Sequence, residues 1–183
     1  MRIIAGRHRG REIMGPKDAR IRPTTDRLRE TLFNILAHRP EFGFGGARVA
    51  DLFAGTGALG LEALSRGAAH VIFVDNHPQS LALARDNVQR LKEEANCRLL
   101  AQDASRLGAA DSPYDLIFMD PPYRKDLVVP ALVVLEAQGW LKDGSLIVVE
   151  CGANEELPLP PALAEVATRS QGDAKFMILR YNA

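Results

Sequence analysis

Short, almost unbroken apolar runs alternate with helical patterns along this chain, and that alternation constrains its fold more than any other feature. Val71-Ile72-Phe73-Val74 and Leu116-Ile117-Phe118-Met119 are too short and too uniformly apolar for surface helices, and they read as buried strands. Arg48–Phe53, Arg98–Ala101 and Ser145–Glu150 bring the set to five. Ala58–Arg66, Gln79–Leu91 and Val128–Glu136 carry the helical patterns. A strand that is apolar on both sides belongs in a sheet covered on both faces. The alternation therefore predicts an α/β fold with a mostly parallel sheet and right-handed crossovers. Val166–Ser170 and Phe176–Arg180 flank Gln171-Gly172-Asp173 and predict a C-terminal antiparallel hairpin, making seven strands.

The chain has 183 residues, 46% hydrophobic and 25% charged, which fits one globular domain with a small appendage. We divide it into three parts. Residues 1–22 form a basic extension, in which Arg2–Ala5 and Arg11–Met14 make a small β-hairpin around the Gly6–Gly10 turn. Residues 23–40 form a bridging helix region, with Thr24-Thr25-Asp26 as N-cap candidates and Leu28, Leu32, Ile35 and Leu36 as its apolar stripe. Residues 41–183 form the main domain, whose first strand begins at Arg48. No run of 18 apolar residues is present, and the basic N-terminus lacks an apolar signal core, so the cytoplasm is the expected compartment. Cys97 and Cys151 are too few and too distant for a disulfide scaffold, and no metal site is expected.

Net charge is zero but uneven: residues 1–30 hold nine Lys or Arg against four Asp or Glu, leaving +5 there and −5 over the rest. Such a front end serves either as a solvated arm or as a polyanion contact.

Ligands of such a sheet sit at the carboxyl ends of its strands, where the strand order reverses. Asp51, Asp75, Asp103 and Asp120 all lie at or just beyond strand ends. Asp51-Leu52-Phe53-Ala54-Gly55-Thr56-Gly57-Ala58-Leu59-Gly60 is a glycine loop between a strand and a helix. Glycines permit tight turning and close backbone approach to a ligand, but they do not choose the cofactor. Asp75, 20 residues beyond Gly55, can accept both hydroxyl hydrogens of a ribose. Asp103 either takes the amino hydrogens of adenine, with Ala104 supplying a backbone contact, or caps its loop. Asp51 either ties the glycine loop or meets an ammonium group. Phe53, Ala54, Gly55, Thr56, Gly57 and Asn76 complete the candidate cofactor set.

Asp120-Pro121-Pro122-Tyr123 follows a buried strand and is the candidate chemical site. A nucleobase amine is a poor nucleophile because its lone pair conjugates with the ring. The Asp120 carboxylate and the Pro121 carbonyl can accept its two hydrogens and turn the lone pair outward. Proline's fixed φ stiffens that carbonyl, and Tyr123 can stack on the base. This tetrad selects S-adenosyl-L-methionine as the methyl donor. Asp120 thus belongs to both the catalytic and the cofactor set. Within folded RNA or a duplex, the base would have to be flipped out.

The chain closely resembles the bacterial 16S rRNA (guanine(966)-N2)-methyltransferase family, the methyltransferase D type of small-subunit ribosomal RNA. The resemblance covers nearly the whole chain through Ile4-Ala5-Gly6, Arg22-Pro23-Thr24-Thr25-Asp26-Arg27-Leu28-Arg29-Glu30, Asp51–Gly67, Phe73-Val74-Asp75 and Asp120–Tyr123. It implies a Rossmann-like class I S-adenosyl-L-methionine-dependent methyltransferase that acts on guanine N2 of 16S rRNA in assembled or assembling small subunits. It also places the arginine-proline-threonine segment near the cleft, which makes Arg22, Thr24, Arg27 and Arg29 RNA-binding candidates. Arg7, Arg9 and Arg11 of the basic front end and Arg124 beside the tetrad join them. Family members often carry glutamate at position 75 and serine at position 56; Asp75 and Thr56 keep the carboxylate and the hydroxyl. A monomer is expected. The tetrad is shared with DNA adenine-N6 methyltransferases, the main enzymatic alternative. A catalytically silent RNA-binding assembly protein is the alternative of another class.

Overall fold

A computed structural model describes residues 1–16, 26–122 and 126–183. Its centre is one seven-stranded sheet. In chain order the elements are α1 (Asp26–Ala37), β1 (Arg48–Leu52), α2 (Ala58–Ser65), β2 (His70–Asp75), α3 (Pro78–Leu91), β3 (Cys97–Ala101), β4 (Tyr114–Met119), α4 (Val128–Ala137), β5 (Leu141–Gly152), β6 (Leu163–Gln171) and β7 (Ala174–Tyr181). Across the sheet they lie in the order β3-β2-β1-β4-β5-β7-β6. The first five strands pair in parallel, and β7 runs antiparallel between β5 and β6. This is the expected Rossmann-like sheet with a C-terminal antiparallel hairpin. The hairpin turns through Gly172-Asp173, with Gly172 at φ 60°, and glycine suits the first central position of such a two-residue loop.

Alternate residues of each strand feed two cores. Val49, Val71, Phe73, Leu116 and Phe118 join α1, α2 and α3 on one face. Ala50, Leu52, Ile72, Val74, Ile117 and Met119 join α4 on the other. The chain after β1 thus covers one face and the chain after β4 the other, so the strand order reverses between β1 and β4. A crevice opens at that point above the carboxyl ends.

Helix α1 buries Leu28, Leu32, Phe33 and Leu36. Phe33, absent from the expected stripe, is its deepest anchor: it lies 5.6 Å from the Phe44 ring and 5.5 Å from Phe118, beneath the Arg66 guanidinium. Ile35, expected in the stripe, is only half-buried.

Residues 1–16 fold back on themselves around the Gly6–Gly10 turn, through an antiparallel bridge of Arg2 and Glu12 with the Ile3 N–H donating to Arg11 and the Ile13 N–H to Met1, both at 3.0 Å. Ile3 and Ile13 are buried in the same core as α1 and α2. The buried Glu62 carboxylate of α2 accepts the Ile4 and Ala5 N–H groups at 2.8 and 3.1 Å and holds Arg66 at 2.8 Å. Gly6, at φ 82°, lies so close to α2 that a Cβ would stand 1.9 Å from the Ser65 carbonyl oxygen. Arg7 donates to Glu93 at 2.8 Å, and His8 meets the same carboxylate. This segment is a strap laid along α2 and α3.

Candidate active site

Strand register builds the crevice. Leu52 of β1 pairs with Met119 of β4, so Phe53 and Asp120 emerge side by side from neighbouring strands. Phe53 then adopts φ 61°, in the left-handed region that non-glycine residues rarely occupy. Simple alternation would place residue 53 on the face of Val49 and Asp51. The left-handed step instead packs its ring against the opposite core, beside Leu52. Gly55 at φ 55° and Gly57 at φ 78° complete the reversal into α2. Gly60 lets the helix lie against β2: a Cβ there would fall 2.5 Å from the Phe73 ring and 2.8 Å from Val71 Cγ1.

Carboxylates fasten this loop. Asp51 is buried, and its Oδ2 accepts the Gly60 N–H at 2.9 Å. Of its two expected roles, the structure shows the loop tie. Burial pushes its carboxyl well above the usual aspartate range; the Gly60 N–H opposes this, and the Asp120 and Asp75 charges add to it. Asp75 ends β2 and accepts the Gly55 N–H at 3.0 Å on Oδ2 and the His77 N–H at 2.8 Å on Oδ1. Each oxygen of a carboxylate has two lone pairs, so these bonds leave room for ribose hydroxyls. Asn76, just after the strand, is exposed.

Gln102 donates its N–H to the Asp75 carbonyl at 3.2 Å and brings the end of β3 to the same edge. There Asp103 caps the short 3-10 turn Ala104–Arg106: its Oδ1 accepts the Ser105 N–H and hydroxyl at 2.8 and 2.7 Å. Those bonds hold its pKa below the ordinary value. The loop-cap reading is therefore present in the structure, and Ala104 is buried beside it. After β4, Asp120 is half-buried, Pro121 buried and Pro122 exposed. Tyr123, Arg124, Arg22 and Thr24 lie outside the described residues.

The basic candidates separate from this site. Arg7 donates its backbone N–H to Ser65, the last residue of α2, and its side chain pairs with Glu93 beyond α3. Arg11 reaches the Arg90 carbonyl in the last turn of α3. Helix α2 has 8 residues and α3 has 14, so at 1.5 Å per residue they run about 12 and 21 Å away from the crevice. Arg7, Arg9 and Arg11 thus cluster at the opposite end of the strands. Arg27 is exposed on α1. Arg29 requires a correction. It is only 1% exposed, and its guanidinium donates to the Arg2 carbonyl at 2.6 Å and to Asp26 at 2.9 Å. Burial lowers its pKa, with Asp26 and Glu62 opposing. It braces the strap instead of facing a partner.

Three buried polar residues, Glu62, Asn87 and Glu93, escape a reading of the sequence. Asn87 leaves a trace: it interrupts the buried stripe Leu81, Ala84, Val88 and Leu91. Nothing in the sequence names its partners.

A family model described as conserved hypothetical protein 95 matches residues 1–180. The chain belongs to that family. It is 42% identical over 163 residues to Ribosomal RNA small subunit methyltransferase D of Escherichia coli K12, spanning 88% of this chain and 80% of that protein. The Haemophilus influenzae protein of the same name is 36% identical over 186 residues, covering 97% of this chain and 92% of its own. Among solved structures, yhhF from Escherichia coli superimposes with a TM-score of 0.87 at 35% identity, covering 100% of this chain and 98% of that one. The resemblance read from the residues is therefore shown by the comparisons.

Proposed function

We propose that this protein transfers the methyl group of S-adenosyl-L-methionine to N2 of guanine 966 of 16S rRNA in the small ribosomal subunit, acting as a cytoplasmic monomer. One observation carries the reading. The crevice between β1 and β4 puts the glycine loop beside the Asp120-Pro121 turn, in a family whose curated relatives are named as rRNA methyltransferases.

The residues present fit this donor. Asp51, Asp75 and Asp120 lie close enough for the latter two to raise the pKa of the first. The Asp75 and Asp120 carboxylates at the crevice repel a pyrophosphate and attract a cation. That favours a sulfonium with an ammonium tail over a dinucleotide, although both bind at glycine loops. Asp75 holds the ribose hydroxyls, residues 53–57 supply backbone around the amino-acid tail, and the turn at Asp103 and Ala104 flanks the adenine. When bound, the donor supplies a methyl group on positively charged sulfur, already activated for transfer.

The protein then has to present the nitrogen. Asp120 and the Pro121 carbonyl accept the two amine hydrogens and aim the lone pair at the crevice. Positive charge gathers on nitrogen as it takes the methyl group, and the Asp120 carboxylate stabilises that charge in a half-buried setting. Asp120 needs no raised basicity, because the amine proton is lost after transfer. Base stacking is assigned to Tyr123, and RNA contact to Arg22, Thr24, Arg27 and Arg124.

Methyl transfer to unmodified small subunits and to matched DNA tests the assignment. The expected product is N2-methylguanine in 16S rRNA. N6-methyladenine on DNA, with none on guanine, would replace this reading with the DNA alternative.

A further inference from the structure

The buried amide of Asn87 joins two segments, the glycine loop and the strap. Asn87 is 0% exposed, midway along α3. Its Nδ2 donates to the Thr56 carbonyl at 2.9 Å and to the Met14 carbonyl at 3.0 Å. Its Oδ1 accepts the Met14 N–H at 2.7 Å. Both amide hydrogens are used, one on each segment, and Met14 is gripped through both of its backbone groups. Thr56 sits between Gly55 and Gly57, two left-handed glycines that contribute no side-chain packing to fix the loop. Beside the Ala54 N–H bond to the Val74 carbonyl at 3.0 Å, three side chains tie the loop: Asp75 at Gly55, Asn87 at Thr56, and Asp51 at Gly60. Of these three, Asn87 also holds the strap.

We propose that Asn87 is a positioning residue that couples the strap to the methyl-donor loop, so that the seating of residues 1–16 sets how tightly the donor binds. This rests on the reading of the glycine loop and Asp75 as the donor site. The strap contributes no residue to that site, yet it fixes Met14, Met14 fixes the Asn87 amide, and the amide fixes the carbonyl of Thr56. Coupling of this kind is reciprocal: a donor that settles the loop also settles the strap, whose chain runs on toward Arg22 and Thr24.

Calorimetry with S-adenosyl-L-methionine and steady-state methylation of unmodified small subunits test this on four full-length proteins. These are the wild type, Asn87→Ala, Met14→Pro and Gln89→Ala. Met14→Pro removes the amide hydrogen given to Asn87, stiffens the strap there, and leaves the residues of the glycine loop unchanged. Gln89 is exposed on the same helix and serves as control. Asn87→Ala removes the bond to Thr56 and both bonds to Met14, and Met14→Pro removes one of the latter; each should raise the donor Kd and KM about tenfold, the scale of one hydrogen bond lost from the loop, with kcat at saturating donor within about twofold of wild type. Gln89→Ala should match wild type. General loss of folded protein would instead lower kcat and leave KM in place. Wild-type Kd and KM in Asn87→Ala, or in Met14→Pro where the alanine variant fails to fold, would overturn the role of Asn87 alone. A wild-type protein that binds no donor would overturn the donor-site reading, and this inference with it.

Discussion

Asp51 lies in β1 and Asp120 just beyond the neighbouring β4, yet the structure sets them in different surroundings. Asp120 is half-buried at the mouth of the crevice, and Asp51 is sealed beneath the loop. Asp120→Ala should cut methyl transfer by about 10²–10³-fold, the scale of removing one preorganised partner of transition-state charge. Donor binding measured by calorimetry should persist, because the loop's ties to Asp51, Asp75 and Asn87 remain. Asp51 makes a prediction about pH. Its folded pKa is raised chiefly by burial. Its contribution to stability is therefore complete below the ordinary aspartate value, about 4, and declines as pH rises through the folded value. Urea unfolding across that window should show a decline in the wild type that Asp51→Asn flattens. Gly60→Ala would drive a methyl into the Phe73 ring and should destabilise the protein by about 1–3 kcal/mol in the same assay. At this scale the acidic strand ends are legible in the sequence, since each follows an apolar run. The left-handed turn at Phe53 is not, because nothing local requires a phenylalanine to adopt φ 61°.

Among the elements, those defined by short-range pattern match their expectation, whereas the packing of the strap on α2 and α3 has no short-range signal. Tyr114–Met119 matches its expected span without change, β2 extends its own by His70 and Asp75, and β5 extends its own by Leu141–Gly144 and Cys151-Gly152, where Lys142, Asp143 and the glycines break the hydrophobic run. The arginines of the strap suggest a basic hairpin arm. Its partners are Glu62, Asn87 and Glu93, which lie 57 to 86 residues away and are carried on or just beyond two helices. Charge density near the N-terminus says nothing about a carboxylate so remote in sequence. Arg29 misleads in a similar way: an arginine two positions from Arg27 looks equally exposed until the helix face is known. Glu62→Ala would strip the acceptor from the Ile4 and Ala5 N–H groups and from Arg66. It should cost at least about 2 kcal/mol in urea unfolding and expose residues 1–16 to protease. Unchanged stability and an undigested strap would contradict this view of the segment.

For the molecule as a whole, the position of the crevice follows from the α/β pattern, since the reversal of strand order places a ligand site whatever the chemistry. The distribution of positive charge does not follow. Arg7, Arg9 and Arg11 occupy the end of the strands opposite the crevice, so an RNA contact there would lie apart from the proposed chemical site by about the length of α2 and α3. A substrate as large as a ribosomal particle can meet both. On that account Arg9→Ala should weaken binding to the small subunit, lower the dependence of log affinity on log salt by about 1, and leave the donor Kd unchanged. An unaltered salt slope would remove the far end from the interface. The central claim is that the β1–β4 crevice presents a guanine amine to a sulfonium methyl group. Mass mapping of 16S rRNA, after unmodified small subunits react with the protein and S-adenosyl-L-methionine, tests it most directly. The account predicts a single added methyl group on N2 of guanine 966, absent with Asp120→Ala. A methyl group on another atom or another polymer, or one that survives Asp120→Ala unchanged, would contradict it.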